Sequence, residues 1–141
     1  MADAPPLRLL AEDEADLAVI SAAMQDAVAK VGDITFEPKA RRLTIAFNRY
    51  RWEAGGGARV RSALQLGGVL KFETRKIRRD APEAVLEFLA VTFEAGEAPG
   101  GVVTLHCAGG GDLRAAVECI EAVLADVSKP WPTPRKPAHE L

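Results

Sequence analysis

His106 and Cys107 are the nearest approach in this 141-residue chain to a nucleophile beside its base. An imidazole activates a thiol only when the two side chains touch. In "VVTLHCA", residues 102–108, Val103, Leu105 and Cys107 occupy alternate positions, as in a strand. Neighbouring side chains of a strand point to opposite faces, so His106 and Cys107 cannot meet. The pattern predicts a buried structural cysteine and an outward-facing histidine. The other cysteine, Cys119, and the other histidine, His139, add no zinc-binding spacing and no disulfide framework.

Gly109-Gly110-Gly111-Asp112 raises the question of an anion site at a helix N-terminus. It matches neither the phosphate-loop nor the dinucleotide pattern, and Asp112 would repel a phosphate. A tight strand-to-helix turn with Asp112 as cap is the simpler reading. Glu118, Glu121 and Asp126 lie mostly off the apolar stripe of that predicted helix. Glu12, Asp13, Glu14 and Asp16 crowd the first turn of another. No two carboxylates are placed to act as acid and base. These residues argue against an enzyme and imply neither cofactor nor metal.

The stretch "RRLTIAFNRYRWE", residues 41–53, gathers the remaining chemistry. Leu43, Ile45 and Phe47 alternate, Arg49 and Arg51 continue their phase, and Tyr50 and Trp52 take the other. A change of apolar face within a strand is what a β-bulge or a barrel corner produces, and Asn48-Arg49 is the expected kink. Tyr50 and Trp52 should then lie under a helix or the tail, with Arg49 and Arg51 turned outward. Joined through Gly55-Gly56-Gly57, residues Arg49, Arg51, Arg59 and Arg61 should line one sheet surface, with Tyr50 or Trp52 at its edge.

The formal net charge of −2 conceals an uneven layout. Residues 39–79 hold 12 basic groups against Glu53 and Glu73, a balance of +10, and the rest of the chain carries −12. Basic groups on exposed strands prevent edge-to-edge aggregation. Arginine, tyrosine and tryptophan are also the types enriched where proteins bind one another. An unknown protein partner or a homo-oligomer contact is therefore the leading expectation beyond edge protection. RNA or another polyanion is the alternative, and a small-ligand protein or an enzyme of unrecognised chemistry comes third. Aromatic stacking platforms for nucleic acid are scarce.

The positioning elements follow from periodicity. "PLRLLA", residues 6–11, reads as a short strand. Leu17, Ile20, Met24, Ala27, Val28 and Val31 recur at helical spacing, with Asp13 as N-cap and Gly32 as stop. "DITFEP", "RVRSALQL", "VLKFETRKI" and "VVTLHCA" read as strands, and "AVLEFLAVTFE", apolar on both phases, as either a covered strand or a short helix running into a strand. Gly67-Gly68 reads as a break or a hairpin turn. Leu113, Ala116, Val117, Ile120, Leu124 and Val127 form one stripe, predicting a helix from about Asp112 to Val127. Four prolines in residues 129–141 favour an extended tail.

Strands flanked by helices predict an α+β domain over residues 1–127 with an antiparallel sheet, followed by a proline-rich tail over 128–141. The pattern resembles the pleckstrin-homology-like barrel, a curved sheet with an N-terminal helix and a C-terminal capping helix. The alternative is an open antiparallel sheet with both helices on one face. No apolar run approaches the roughly 18 residues of a membrane span, and the N-terminus lacks a secretory pattern. A reduced cytoplasmic setting, without membrane contact, is the expectation.

"NRYRWE", "VECIEAVLADVSKPW" and "PRKPAHEL" resemble an alphaproteobacterial family catalogued only as a domain of unknown function. The resemblance spans nearly the whole chain. It implies a small cytoplasmic bacterial protein and carries no activity, and the barrel expectation does not come from it.

Overall fold

The computed structural model describes residues 5–54 and 57–133. Among these residues one α-helix, α1 (Glu14–Met24), stands among eleven strands. These are β1 (Arg8–Ala11), β2 (Val28–Lys30), β3 (Ile34–Glu37), β4 (Arg42–Tyr50), β5 (Ala58–Leu66), β6 (Val69–Arg75), β7 (Val85–Ala95), β8 (Gly101–Cys107), β9 (Asp112–Val117), β10 (Ala122–Asp126) and β11 (Trp131–Pro132). All pairings are antiparallel. The sheet is open and runs β1-β10-β5-β4-β2-β7-β8-β9-β6, with β3 beside β4 and β11 beside β5.

The predicted C-terminal capping helix does not exist, and with it the α+β, pleckstrin-homology-like assignment falls. Residues 112–126 form β9 and β10 instead. The period-two set Leu113, Ala115, Val117 and then Ala122, Leu124 is buried. Alanines at 115, 116, 122 and 125 let the segment satisfy a helical stripe and a strand alternation equally. Pairing with β5, β6 and β8 decides between them, because each strand is covered by neighbours a lone helix would lack.

α1 begins as expected. The Asp13 side chain accepts a hydrogen bond from the Asp16 N–H at 2.8 Å, and Leu17, Ile20 and Met24 face the core. It ends seven residues before Val31, the last residue of the predicted stripe, because Asp26 adopts φ +64°, a turn that a short polar side chain tolerates. Beyond it Ala27, Ala29 and Val31 are buried on a strand period, and β2 pairs with both β4 and β7. Gly32 stops no helix. Its N–H donates to the Pro82 carbonyl at 2.9 Å, and a Cβ there would crowd that oxygen at 3.1 Å.

Gly67-Gly68 is a corner, not a hairpin. β5 and β6 do not pair with each other: β5 runs beside β10, and β6 beside β9. The Gly67 N–H donates to Glu121 O, and the Glu118 N–H to Gly68 O, each at 2.9 Å. The β5–β6 and β9–β10 segments thus turn together, and the two halves of the sheet share one core. Phe47 of β4 meets Phe88 of β7 edge-on at 6.1 Å, and Leu43, Leu64, Leu105 and Leu113 are fully buried there. Among the described residues no helix is long and apolar enough to cross a membrane.

Candidate functional site

The expected bulge at Asn48-Arg49 is absent. β4 and β5 stay in register from Leu43–Leu66 through Tyr50–Arg59. The apolar phase of β4 therefore runs straight on from Phe47 into Arg49, whose side chain is 0% exposed. The register shifts lie elsewhere, between Val69 and Lys71 and between Phe88 and Ala90, where Leu89 is pushed outward.

The buried guanidinium is fully engaged. Its Nε donates to Asp126 Oδ1 at 3.0 Å and to Ser62 Oγ at 3.2 Å. Nη2 donates to Asp126 Oδ2 at 2.9 Å and Glu53 Oε2 at 2.8 Å, while Nη1 donates to Glu53 Oε1 at 2.9 Å and the Tyr50 carbonyl at 3.4 Å. Asp126, whose side chain is 2% exposed, also accepts from Ser62 Oγ at 2.7 Å and from the Leu7 N–H at 2.8 Å. An interior arginine is tolerated only in such company.

Burial would lower the Arg49 pKa, but the hydrogen bonds and charges of Glu53 and Asp126 raise it overall. Burial likewise pushes Asp126 up, and the bonds from Arg49, Ser62 and Leu7 outweigh it, leaving its carboxyl below the usual range. The bond from Arg49 lowers Glu53 against the opposing effect of burial. The cluster is a fixed set of charges that ties the end of β4 to β10, to the residues entering β1 and to the 3-10 turn Trp52–Ala54. It is a pin, not a proton-transfer device.

That pin holds the Trp52 turn, and one groove is lined by Trp52 and another by its buried neighbour Arg51. One groove, about 330 Å³, is lined by Leu7, Leu9, Val19, Ala22, Ala23, Trp52 and Glu53 and is mostly apolar. The other, about 680 Å³, is lined by Pro6, Arg51, Val60, Asp126, Val127, Ser128, Lys129 and Pro130. Tyr50 is buried, its ring edge-on to Trp52 at 4.6 Å and its hydroxyl accepting from the Gly57 N–H at 2.7 Å. Trp52 is half-buried, and its Nε1–H donates to the Gln25 carbonyl at 3.4 Å.

The four arginines do not share one surface. Arg49 and Arg51 are buried. Arg59 and Arg61 stand on the opposite phase of β5, Arg59 over the Tyr50 ring at 5.9 Å and Arg61 bonded to Asn48 Oδ1 at 3.2 Å and Asp33 Oδ1 at 3.1 Å. Gly55 and Gly56 of the connecting tripeptide lie outside the described residues.

Cys107 is buried as expected, its thiol pushed up to about 11 by burial and by the charge of Asp112. His106 points to the other face, Nε2 at 2.8 Å from Thr92 Oγ1. His139 lies outside the described residues. Gly109–Gly111 join β8 to β9, and Asp112, no helix cap, is a buried carboxylate bonded by Arg75 at 2.9 Å and Arg114 at 3.2 Å. Among the described residues no group of acidic, histidine and cysteine side chains has the arrangement of a metal site.

The residues that sequence reasoning missed are Ser62, Asp126, Leu7, Leu9 and Val19. A signal for the first two was present. The inward phases of β4, β5 and β10 each carry a polar residue, Arg49, Ser62 and Asp126, toward the same end of the sheet. No curated protein and no solved structure matches this chain. Residues 7–139 match the model of the family described as "Protein of unknown function (DUF2948)", and the chain belongs to that family.

Proposed function

We propose that this protein is a non-enzymatic, cytoplasmic protein-interaction module whose contact face is the apolar groove between β1, α1 and Trp52. One observation carries the reading: apolar side chains stand exposed on regular backbone there. Val19 is 54% exposed with Ala22 exposed beside it, and Leu7, Leu9 and Ala23 are half-buried in the groove. A contiguous apolar face of this kind marks contact with another polypeptide, and a half-buried tryptophan at its rim is a favoured anchor. The Arg49 cluster supports the reading by holding the Trp52 turn in place before a partner arrives, which lowers the entropy cost of binding.

The polyanion alternative has less support. Among the described residues Arg41, Arg42, Arg49, Arg61, Lys71, Arg75 and Arg78 each pair with a carboxylate of the same chain. At least seven of the twelve basic groups of residues 39–79 are thus ion-paired within the chain, mostly to carboxylates outside that stretch.

A photo-reactive residue placed at Val19, with another at Glu73 on β6 as control, tests the reading in intact cells. Adducts at position 19 with one recurring polypeptide, reproduced with that polypeptide purified, support it. Adducts to nucleic acid alone, or none at position 19 beyond those at 73, overturn it.

A further inference from the structure

The two edges of the sheet are built differently. β6 carries the hallmarks of a protected edge: Lys71, Glu73 and Arg75 along its length and a register shift near its start. β1 has fewer: a single charge, Arg8, and no register shift. Its register against β10 is regular from Arg8–Ala125 to Ala11–Ala122, it contains no proline, and its outer phase presents Leu10 to solvent. Among the described residues β10 is its one pairing neighbour. A regular edge this lightly charged is a template for another strand.

Resting on the protein-binding reading above, we infer that the occupant of this face is a second copy of the chain, joined β1 to β1 in antiparallel fashion about a two-fold axis. Symmetry and side-chain phase restrict the register. A two-fold axis normal to the sheet keeps outer phase beside outer phase, so paired residues must differ by an even number. With Leu10 on the axis, Leu10 meets its own copy, Leu9 faces Ala11, and Arg8 faces Glu12 twice. Arg8, Leu10 and Glu12 are all exposed, and among the described residues neither charge belongs to an ion pair. The edge is self-complementary in charge: opposite charges directly across a strand pair favour it, and like charges oppose it.

The neighbouring groove adds area. Leu7 and Leu9 of the N-terminal segment line it together with Val19, Ala22 and Ala23 of α1. The same rotation therefore brings two apolar helix faces to one side of the joined sheet. A four-residue strand pairing alone buries less than the roughly 1,200 Å² of a stable interface, so a weak, concentration-dependent dimer is expected.

Sedimentation velocity of the full chain over a wide concentration range tests this. The dimer should form, and Leu10→Lys should raise its dissociation constant about tenfold or more, since two ammonium groups then meet on the axis. Arg8→Glu and Glu12→Arg should each weaken it similarly, and the double charge swap should recover it. These side chains are exposed, so unchanged thermal unfolding of the monomer verifies that each variant is folded. A chain that stays monomeric throughout, or a dimer indifferent to Leu10→Lys and to the charge swaps, overturns the inference. If that monomer still yields a different crosslinked polypeptide at position 19, the second copy is refuted and the protein-binding reading stands. A monomeric chain that also yields no polypeptide adduct removes both.

Discussion

Arg49 and Asp126 meet in two parallel hydrogen bonds, Nε to Oδ1 at 3.0 Å and Nη2 to Oδ2 at 2.9 Å, with both side chains shielded from water. They are 77 positions apart in sequence and lie at the end of the sheet where β4, β5 and β10 run side by side. The pair converts what would be a frayed corner into a fixed one. The Trp52 turn hangs on it through Glu53, and the entry to β1 through the Leu7 N–H.

Removing one partner leaves the other charged and buried. Asp126→Ala should therefore destabilise the fold by about 3–5 kcal/mol, the usual cost of breaking such a pair. Asp126→Leu combined with Arg49→Met should cost less than the sum of those two single changes, because the one carboxylate left without its partner, Glu53, is 35% exposed. Urea unfolding of Asp126→Ala, of Asp126→Leu and Arg49→Met singly, and of the double variant measures this. Strict additivity would mean the two residues act independently, contrary to the geometry.

Acid should loosen the same corner. Asp126 and Glu53 are held below their ordinary pKa values of 3.8 and 4.5. Groups lowered on folding contribute their full stability above the unfolded pKa and lose it as pH falls through the folded one. Thermal midpoints should stay level down to about pH 5 and then drop below about pH 4. Glu53→Gln should be less stable at neutral pH and show a shallower acid decline. Parallel curves for the two proteins would contradict the role given to Glu53.

Legibility in the sequence followed the strength of alternation. Val60, Leu64 and Leu66 read inward at once, and so did Cys107, because bulky apolar residues mark one phase unambiguously. Residues 112–126 misled because alanine fits either period, and only their strand neighbours resolve the ambiguity. Arg49 misled for a different reason. A charge on an apolar phase suggested that the phase had changed, whereas a carboxylate far along the chain made burial tolerable. The apolar groove depends on β1, α1 and Trp52 converging, which no local pattern contains.

Backbone crowding singles out Gly101 at the start of β8. A Cβ there would sit 2.4 Å from the Glu94 carbonyl oxygen and 2.5 Å from the Phe93 ring. Gly101→Ala must displace a β7 backbone group and should cost about 1–3 kcal/mol. Gly96→Ala, whose nearest contact is an ordinary 3.6 Å, should be neutral within about 0.5 kcal/mol. Chemical unfolding of the two proteins should separate them clearly, and equal losses would show that crowding at Gly101 relaxes freely.

The two thiols offer a probe of the core. Cys107 lies on the inward phase of β8 with Val103 and Leu105, 3% exposed, while Cys119 is half-buried in the turn between β9 and β10. Alkylation needs the thiolate and access to it. With its pKa pushed to about 11, Cys107 is ionised at pH 8 only on the order of one part in a thousand. Burial then blocks even that fraction until the sheet opens. Iodoacetamide followed by mass spectrometry should therefore give a single adduct on Cys119 in the native protein and two adducts in denaturant. Because burial outranks the Asp112 charge as the cause of the raised pKa, a variant that opens the core should speed labelling of Cys107. Asp126→Ala should do so in proportion to its loss of stability, while the Cys119 rate changes little. Labelling of native Cys107 as fast as in the unfolded chain would place this residue outside the core and undo the inward assignment of β8.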